Sequence, residues 1–298
     1  MRKIIAILLL CFFVSPAVAD ATFEEALALF DDGNYAEALP IAQEFAGKDD
    51  PLAMLMLGRM LQKGLGVEPD AMQAQYWFSK SADKGNVDAQ LAWGLILLEG
   101  PNPVEAVPPL EKAAEAGNAT AQYNLGIYYS GVYGAEAQWP QAAAWFQKAA
   151  DQGLSDAQYN LALLYTDGRG VEKNAVKAAD WFGKAALQGS ADAALEYGVL
   201  VFRGEGVEKD EALGAKWLLI AANHGNPIAM NRVSKLYASG HGVAVDGIEA
   251  AKWNILASAG GRSDAELDAA AAKMDRQDLA QAKERADAFK PMVGPNAP

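Results

Sequence analysis

The chain has 298 residues, a formal charge of −13 at pH 7, one cysteine and two histidines. Its 25 Lys and Arg stand against 38 Asp and Glu, which argues against nucleic acid and anionic lipid as partners, since both demand a basic footprint. With Cys11 alone, no disulfide can staple the fold, and stability has to come from packing.

Residues 1–19 read as a secretory signal: Arg2-Lys3, an apolar run from Ile4 to Val14, then Ser15-Pro16-Ala17-Val18-Ala19 with a small-x-small cleavage site. The mature chain is expected to start at Asp20. The apolar run is too short to persist as a membrane-spanning helix, for which about 20 residues are needed, and no later segment qualifies. Leu10 precedes Cys11 where a lipoprotein signal wants a small residue, so no lipid anchor is expected. These features place the protein outside the cytoplasm, in the periplasm or, alternatively, fully secreted.

Residues 20–52 follow as a degenerate helical hairpin, with Ala26 to Phe30 in one arm and Gly33 to Leu39 opening the other. From residue 53 to 260 one register begins six times, at Ala53, Ala89, Ala121, Ala157, Ala193 and Ala229. A period of this length signals an array of stacked supersecondary units. Counting each alanine as offset 0, apolar and small residues recur at offsets 4, 5 and 8, one side of a 3.6-residue helix. This first helix of each unit, helix A, is expected to end on a left-handed glycine at Gly64, Gly100, Gly131, Gly168, Gly204 and Gly240. A Gly-x-Gly-Val loop (Gly64–Val67, Gly168–Val171, Gly204–Val207, Gly240–Val243) then turns the chain into helix B. Asp70, Asn174, Asp210 and Asp246 are expected to cap helix B, and Asp246 with Glu249 has capping-box spacing.

Helix B carries Trp77-Phe78, Trp145-Phe146, Trp181-Phe182, Trp217-Leu218 and Trp253, followed by a small-residue step. Packing accounts for these five tryptophans, and Trp181→Ala is expected to cost about 3–5 kcal/mol as a buried large aromatic. Repeat two departs from the pattern: Pro109 takes the tryptophan position behind Pro101, Pro103 and Pro108, so helix B should start late. Repeat three replaces the glycine turn with Gly131 to Pro140, and Trp139 in that stretch fits no repeated position. Beyond the repeats, residues 261–290 read as polar, alanine-rich capping helices and 291–298 as a flexible tail.

The recurring Ala-Gln-Tyr-Asn-Leu, Gly-x-Gly-Val, Trp-Phe-x-Lys-Ala-Ala and trailing Gly resemble the Sel1-like repeat, a relative of the tetratricopeptide repeat. The hairpin at Gly33 to Leu39 resembles the tetratricopeptide form itself. The resemblance implies an all-α fold, a right-handed superhelical α-solenoid of stacked helix pairs, acting as an adaptor surface for other proteins. It implies roles such as regulation of an envelope receptor, support of assembly, or contact with host proteins. Family members described as binding or hydrolysing β-lactams are stapled by paired cysteines, which this mature chain lacks.

On helix A, offsets 2, 3 and 6 fall away from the core stripe. Offset 6 reads Arg59, Leu95, Ile127, Leu163, Val199 and Lys235, an apolar ribbon between two bases. Offset 3 supplies Asn124, Asn160 and Glu196, and offset 2 supplies Tyr123 and Tyr159. Tyr123, Asn124, Ile127, Tyr159, Asn160, Leu163, Glu196 and Val199 are therefore the candidate protein-binding residues, suited to an extended peptide segment. The competing reading places offset 6 against helix A of the next repeat.

Catalysis needs converging acid, base or nucleophile groups, and none stands out. His224 and His241 both read as solvated loop residues, and the carboxylates as solvated helix faces. No metal, cofactor or enzymatic activity is expected. The alternative class is a binder or hydrolase of cell-wall-like small molecules, which requires an enclosed polar pocket.

Overall fold

The computed structural model describes residues 21–292, so the signal segment, Cys11 and residues 293–298 lie outside the described residues. All described regular structure is helical, and the helices form two compact units, one ending at Ala121 and one beginning at Gln122. Each is a solenoid of stacked helix pairs.

The first unit opens with α1 (Phe23–Asp31) and α2 (Tyr35–Gly47), the front hairpin. Thr22 and Glu25 close a capping box on α1, Thr22 Oγ1 accepting from the Glu25 amide at 3.2 Å and Glu25 Oε2 from the Thr22 amide at 2.9 Å. Repeat one follows as α3 (Pro51–Lys63) and α4 (Ala71–Asp83), and repeat two as α5 (Val87–Glu99) and α6 (Val107–Glu115). Each helix packs on the next in sequence from α1 through α6.

The second unit holds most of α7 (Ala119–Tyr129), with α8 (Trp139–Asp151), α9 (Ser155–Asp167), α10 (Ala175–Leu187), α11 (Ala191–Arg203), α12 (Glu211–Asn223), α13 (Pro227–Ser239) and α14 (Gly247–Ala259). It is closed by α15 (Ala265–Ala271) and α16 (Arg276–Asp287), both packed on α14. Phe289 meets Trp253 edge-on at 5.6 Å, sealing the last tryptophan.

The core stripe lies where the periodicity puts it. All six offset-0 alanines are fully buried, and offset 5 is Gly, Ala or Ser because helix B presses there: a Cβ on Gly58 would sit 2.8 Å from Phe78, and one on Gly126 2.5 Å from Phe146. Asp70, Asn174, Asp210 and Asp246 each accept first-turn amides. Glu249, however, receives Lys252 and Arg285 on its two oxygens, so Asp246 caps without the reciprocal half of a box.

Four expectations need correction. Gly100 ends α5 with φ −77°, not in the left-handed region, because the proline after it holds the preceding residue extended. Within the Trp-Phe step the phenylalanine is the core residue. Phe78, Phe146 and Phe182 are buried, whereas Trp77, Trp145 and Trp181 are half-buried. Lys148 lies 3.8 Å from the Trp145 ring centroid and Lys184 3.9 Å from that of Trp181, each cation covering an exposed aromatic face. Only Trp217 and Trp253 enter the core. Third, Trp139 does hold a repeated position, the first residue of helix B, shared with Ala71, Ala175 and Glu211; the irregular loop before it hides the register. Last, His224 is half-buried, its Nε2 fully enclosed without a hydrogen-bond partner, and only His241 is exposed.

Repeat two does start its second helix late. A 3-10 turn over Pro103–Ala106 precedes α6, because the prolines remove amide donors from the first turns.

Candidate functional site

The candidate residues lie on the helix-A face of α7, α9 and α11. Tyr123 and Tyr159 each lean on helix B of their own repeat, with ring centroids 5.9 Å from Phe146 and 5.6 Å from Phe182. Their hydroxyls point toward the following repeat: Asn160 hydrogen-bonds Tyr123, and Asp156 stands near it. Tyr159 is approached by Asp192 and Glu196. Both phenols are pushed above the usual tyrosine range, first by burial and then by these charges. One motif residue thus anchors in its own repeat and reaches the next.

Offset 6 sits on the seam between successive A helices. Arg59 pairs with Asp88 at 3.3 Å, just before the next offset-0 alanine, and Lys235 with Asp264 at 2.7 Å, just before Ala265 at the start of α15. In the same register Ile127 is matched by Asp156 and Leu163 by Asp192. Ile127 and Leu163 are half-buried against the core cluster, which leaves part of each side chain in the open. Val199 is 9% exposed and belongs to the core itself. It leaves the predicted ribbon, because Ile228, not an acid, stands in its register partner position.

At offset 3, Asn160 Nδ2 donates to the Asp156 carbonyl at 2.8 Å, fixing its side chain locally, and Asn124 is half-buried beside Tyr123. Glu196 is half-buried, and its carboxyl is raised above the usual range by burial, an effect Arg232 opposes and Asp192 reinforces. At the end of the row Asp264 is pushed down to about 2, chiefly by its hydrogen bond from Lys235 and then by the Leu267 amide. The row thus alternates phenol, carboxamide and carboxylate along an edge of half-buried aliphatic carbon, which can hydrogen-bond an extended backbone and pack against its side chains.

Asp156, Asp192 and Arg232 join this row although sequence reasoning passed them over. The signal was present in the repeated Asp at the position before the alanine, in Asp88, Asp156, Asp192 and Asp264. The buried glutamine of the Ala-Gln motif was missed as well. Gln158 Nε2 donates to the Ala150 carbonyl of the previous repeat at 3.2 Å, while its Oε1 accepts from Gln188 at 2.8 Å. Gln122 likewise accepts from Gln152 at 2.8 Å. These amides are structural fasteners rather than ligand groups.

Among the described residues, no cluster of three or more His, Cys, Asp or Glu is placed to hold a metal, and no helix is long and apolar enough to cross a membrane.

The Sel1 repeat pattern matches residues 51–86, 87–118, 119–154, 155–190, 191–226 and 227–261. Among solved structures the chain is similar to c5321, described as a protective antigen present in uropathogenic Escherichia coli strains with an SLR fold. The identity is 30% and the TM-score 0.77, over 90% of this chain and 60% of that one. The chain therefore spans about 60% of that relative's length. A Sel1 repeat protein from Oxalobacter formigenes is 28% identical with TM-score 0.67, over 79% of this chain and 96% of that one. The C-terminal part of a TPR repeat-containing protein from Cytophaga hutchinsonii, 15% identical with TM-score 0.53 over 84% of this chain and 99% of that one, shares the fold. No curated protein sequence matches the chain.

Proposed function

The chain belongs to the Sel1 repeat family, whose members are generally protein-interaction scaffolds, and from that premise we propose that it is an exported adaptor that binds an extended segment of another envelope protein. Its binding surface is the helix-A row of repeats three to five. The observation that carries this reading is the pair Tyr123 and Tyr159, each braced on a phenylalanine and flanked by half-open Ile127 and Leu163. Export rests on the leader-like residues 1–19, and the periplasm is the location this reading takes for the exported chain. In this role the chain, by binding that segment, regulates a receptor or supports an assembly, with no chemical step.

The register of offset 6 supplies a variant that keeps the fold. Lys at 127 and 163 reproduces the arrangement of Lys235 over Asp264, so Ile127→Lys with Leu163→Lys is expected to leave helicity unchanged. Crosslinking in cells through an affinity tag after Pro298 then compares this variant with the wild type. Loss of one specific envelope protein from the variant supports the reading, and an unchanged partner set with intact folding contradicts it.

A second reading, a secreted factor that meets host proteins, draws on the 30% identity to a protective antigen. The two separate by where the mature chain accumulates: in the periplasmic extract for the adaptor, in the culture medium for the secreted factor.

A further inference from the structure

In repeats one, four, five and six the loop between helices carries two glycines at positive φ in Gly-x-Gly spacing, whereas repeat three has Gly131 and Gly134 separated by two residues. The first ends helix A. The second rests on the opening residue of helix B one unit earlier: a Cβ on Gly66 would stand 2.7 Å from the Tyr35 carbonyl, and one on Gly170, Gly206 or Gly242 would run into the carbonyls of Trp139, Ala175 or Glu211. Four times, then, a glycine turn of the chain is seated on the same place in the fold.

The matching place in repeat one is Ala71, which opens α4. The loop due to cover it belongs to repeat two, the repeat that is four residues short. Gly100 leads through Pro101 and Asn102 directly into the Pro103–Ala106 turn, and no second glycine exists to reach back. A cleft of about 350 Å³ lies there, lined by Gln62, Ala71, Ala74, Gln75, Ile96 and Glu99. Ala71, Ala74 and Ile96 make an apolar floor. Gln62 and Gln75 each offer an amide donor and a carbonyl acceptor, and Glu99 adds acceptors. That set fits a main-chain turn, whose N–H and C=O groups need partners once removed from water. On the same helix Met72 is 82% exposed and Tyr76 52% exposed, though neither lines the cleft.

We infer that this cleft is a docking site for a glycine-bearing turn of another protein, received where the chain's own loops sit in four other places. The four seated loops of a second copy are engaged in their own stack, and its remaining two-glycine turn between helices, Gly131 to Gly134, lacks the Gly-x-Gly spacing of the seated loops, so the occupant is a turn of a different protein. This site is on α3 to α5, apart from the row on α7, α9 and α11, and does not depend on the role assigned to that row.

The test is an amide NMR titration of the full mature chain with a capped peptide of residues 167–175, the glycine loop of repeat four. Binding is expected to shift the signals of Gln62, Gln75, Ile96 and Glu99 and to leave Tyr159 unmoved. Ala71→Trp fills the cleft from an exposed position, and Glu99→Gln alters its wall without adding bulk; each is expected to weaken binding, Ala71→Trp by about tenfold or more. Val176→Trp, at an exposed site on α10, serves as the control and retains binding. Absence of shifts at the four residues, or equal shifts in Ala71→Trp, overturns the inference. Self-association of the wild type that Ala71→Trp abolishes also overturns it, in favour of a second copy as occupant.

Discussion

Repeat four closes α9 with Gly168 at φ +75°, seats Gly170 on the Trp139 carbonyl, caps α10 with Asn174 and buries Phe182. Repeat two keeps only the last of these features, in altered form. Gly100 is extended, the second glycine is gone, a 3-10 turn stands in place of a capped start, and Leu110 replaces the phenylalanine. Yet both pairs form, since Leu110 is fully buried and lies so close to Gly94 that a Cβ there would stand 2.5 Å from it. Burial of one large side chain of helix B against a small residue of helix A holds a pair together. The second loop glycine instead seats the pair on its neighbour, and in repeat two, where that glycine is missing, a cleft lies beside Ala71.

The largest effect that sharpens this comparison lies in the step between helices. Phe182→Ala is expected to destabilise by about 3–5 kcal/mol and Leu110→Ala by about 2–5 kcal/mol. Trp181→Ala removes a half-exposed ring under a lysine and is expected to cost only about 1–2 kcal/mol. Urea unfolding of the three variants checks the order, and a Trp181 loss equal to that of Phe182 would break the assignment of the core. A smaller effect separates the loops. Gly170→Ala is expected to cost about 1–3 kcal/mol, from a strained positive φ and a clash with the Trp139 carbonyl. Gly100→Ala, in extended backbone, should stay within about 0.5 kcal/mol of wild type. Equal costs would mean that the second glycine does not set the spacing between repeats.

Much of this was legible in the residues. The offset-0 alanines, the Asp and Asn caps and the late helix in repeat two follow from periodicity and turn chemistry, which act locally. What periodicity does not carry is depth. Trp181 and Phe182 are adjacent in sequence and both apolar, and only the approach of α9 decides which one is enclosed. Val199 sits in the same register as Leu163 but is buried. The reach of Tyr123 to Asn160 and of Gln158 to Ala150 crosses between repeats, so neither could be read from one repeat alone. Trp139 looked unique because the loop before it is irregular, while the helix it opens keeps its register.

The central claim is that a partner lies along helix A of repeats three to five. Its most direct test places a photo-crosslinking benzophenone side chain at residue 159 or, as the opposing face, at Val176, which is 65% exposed on helix B, and irradiates living cells. The account predicts one discrete envelope-protein adduct from position 159 and none from 176. An adduct from 176 with none from 159 would contradict it and move the binding surface to the other side of the helices.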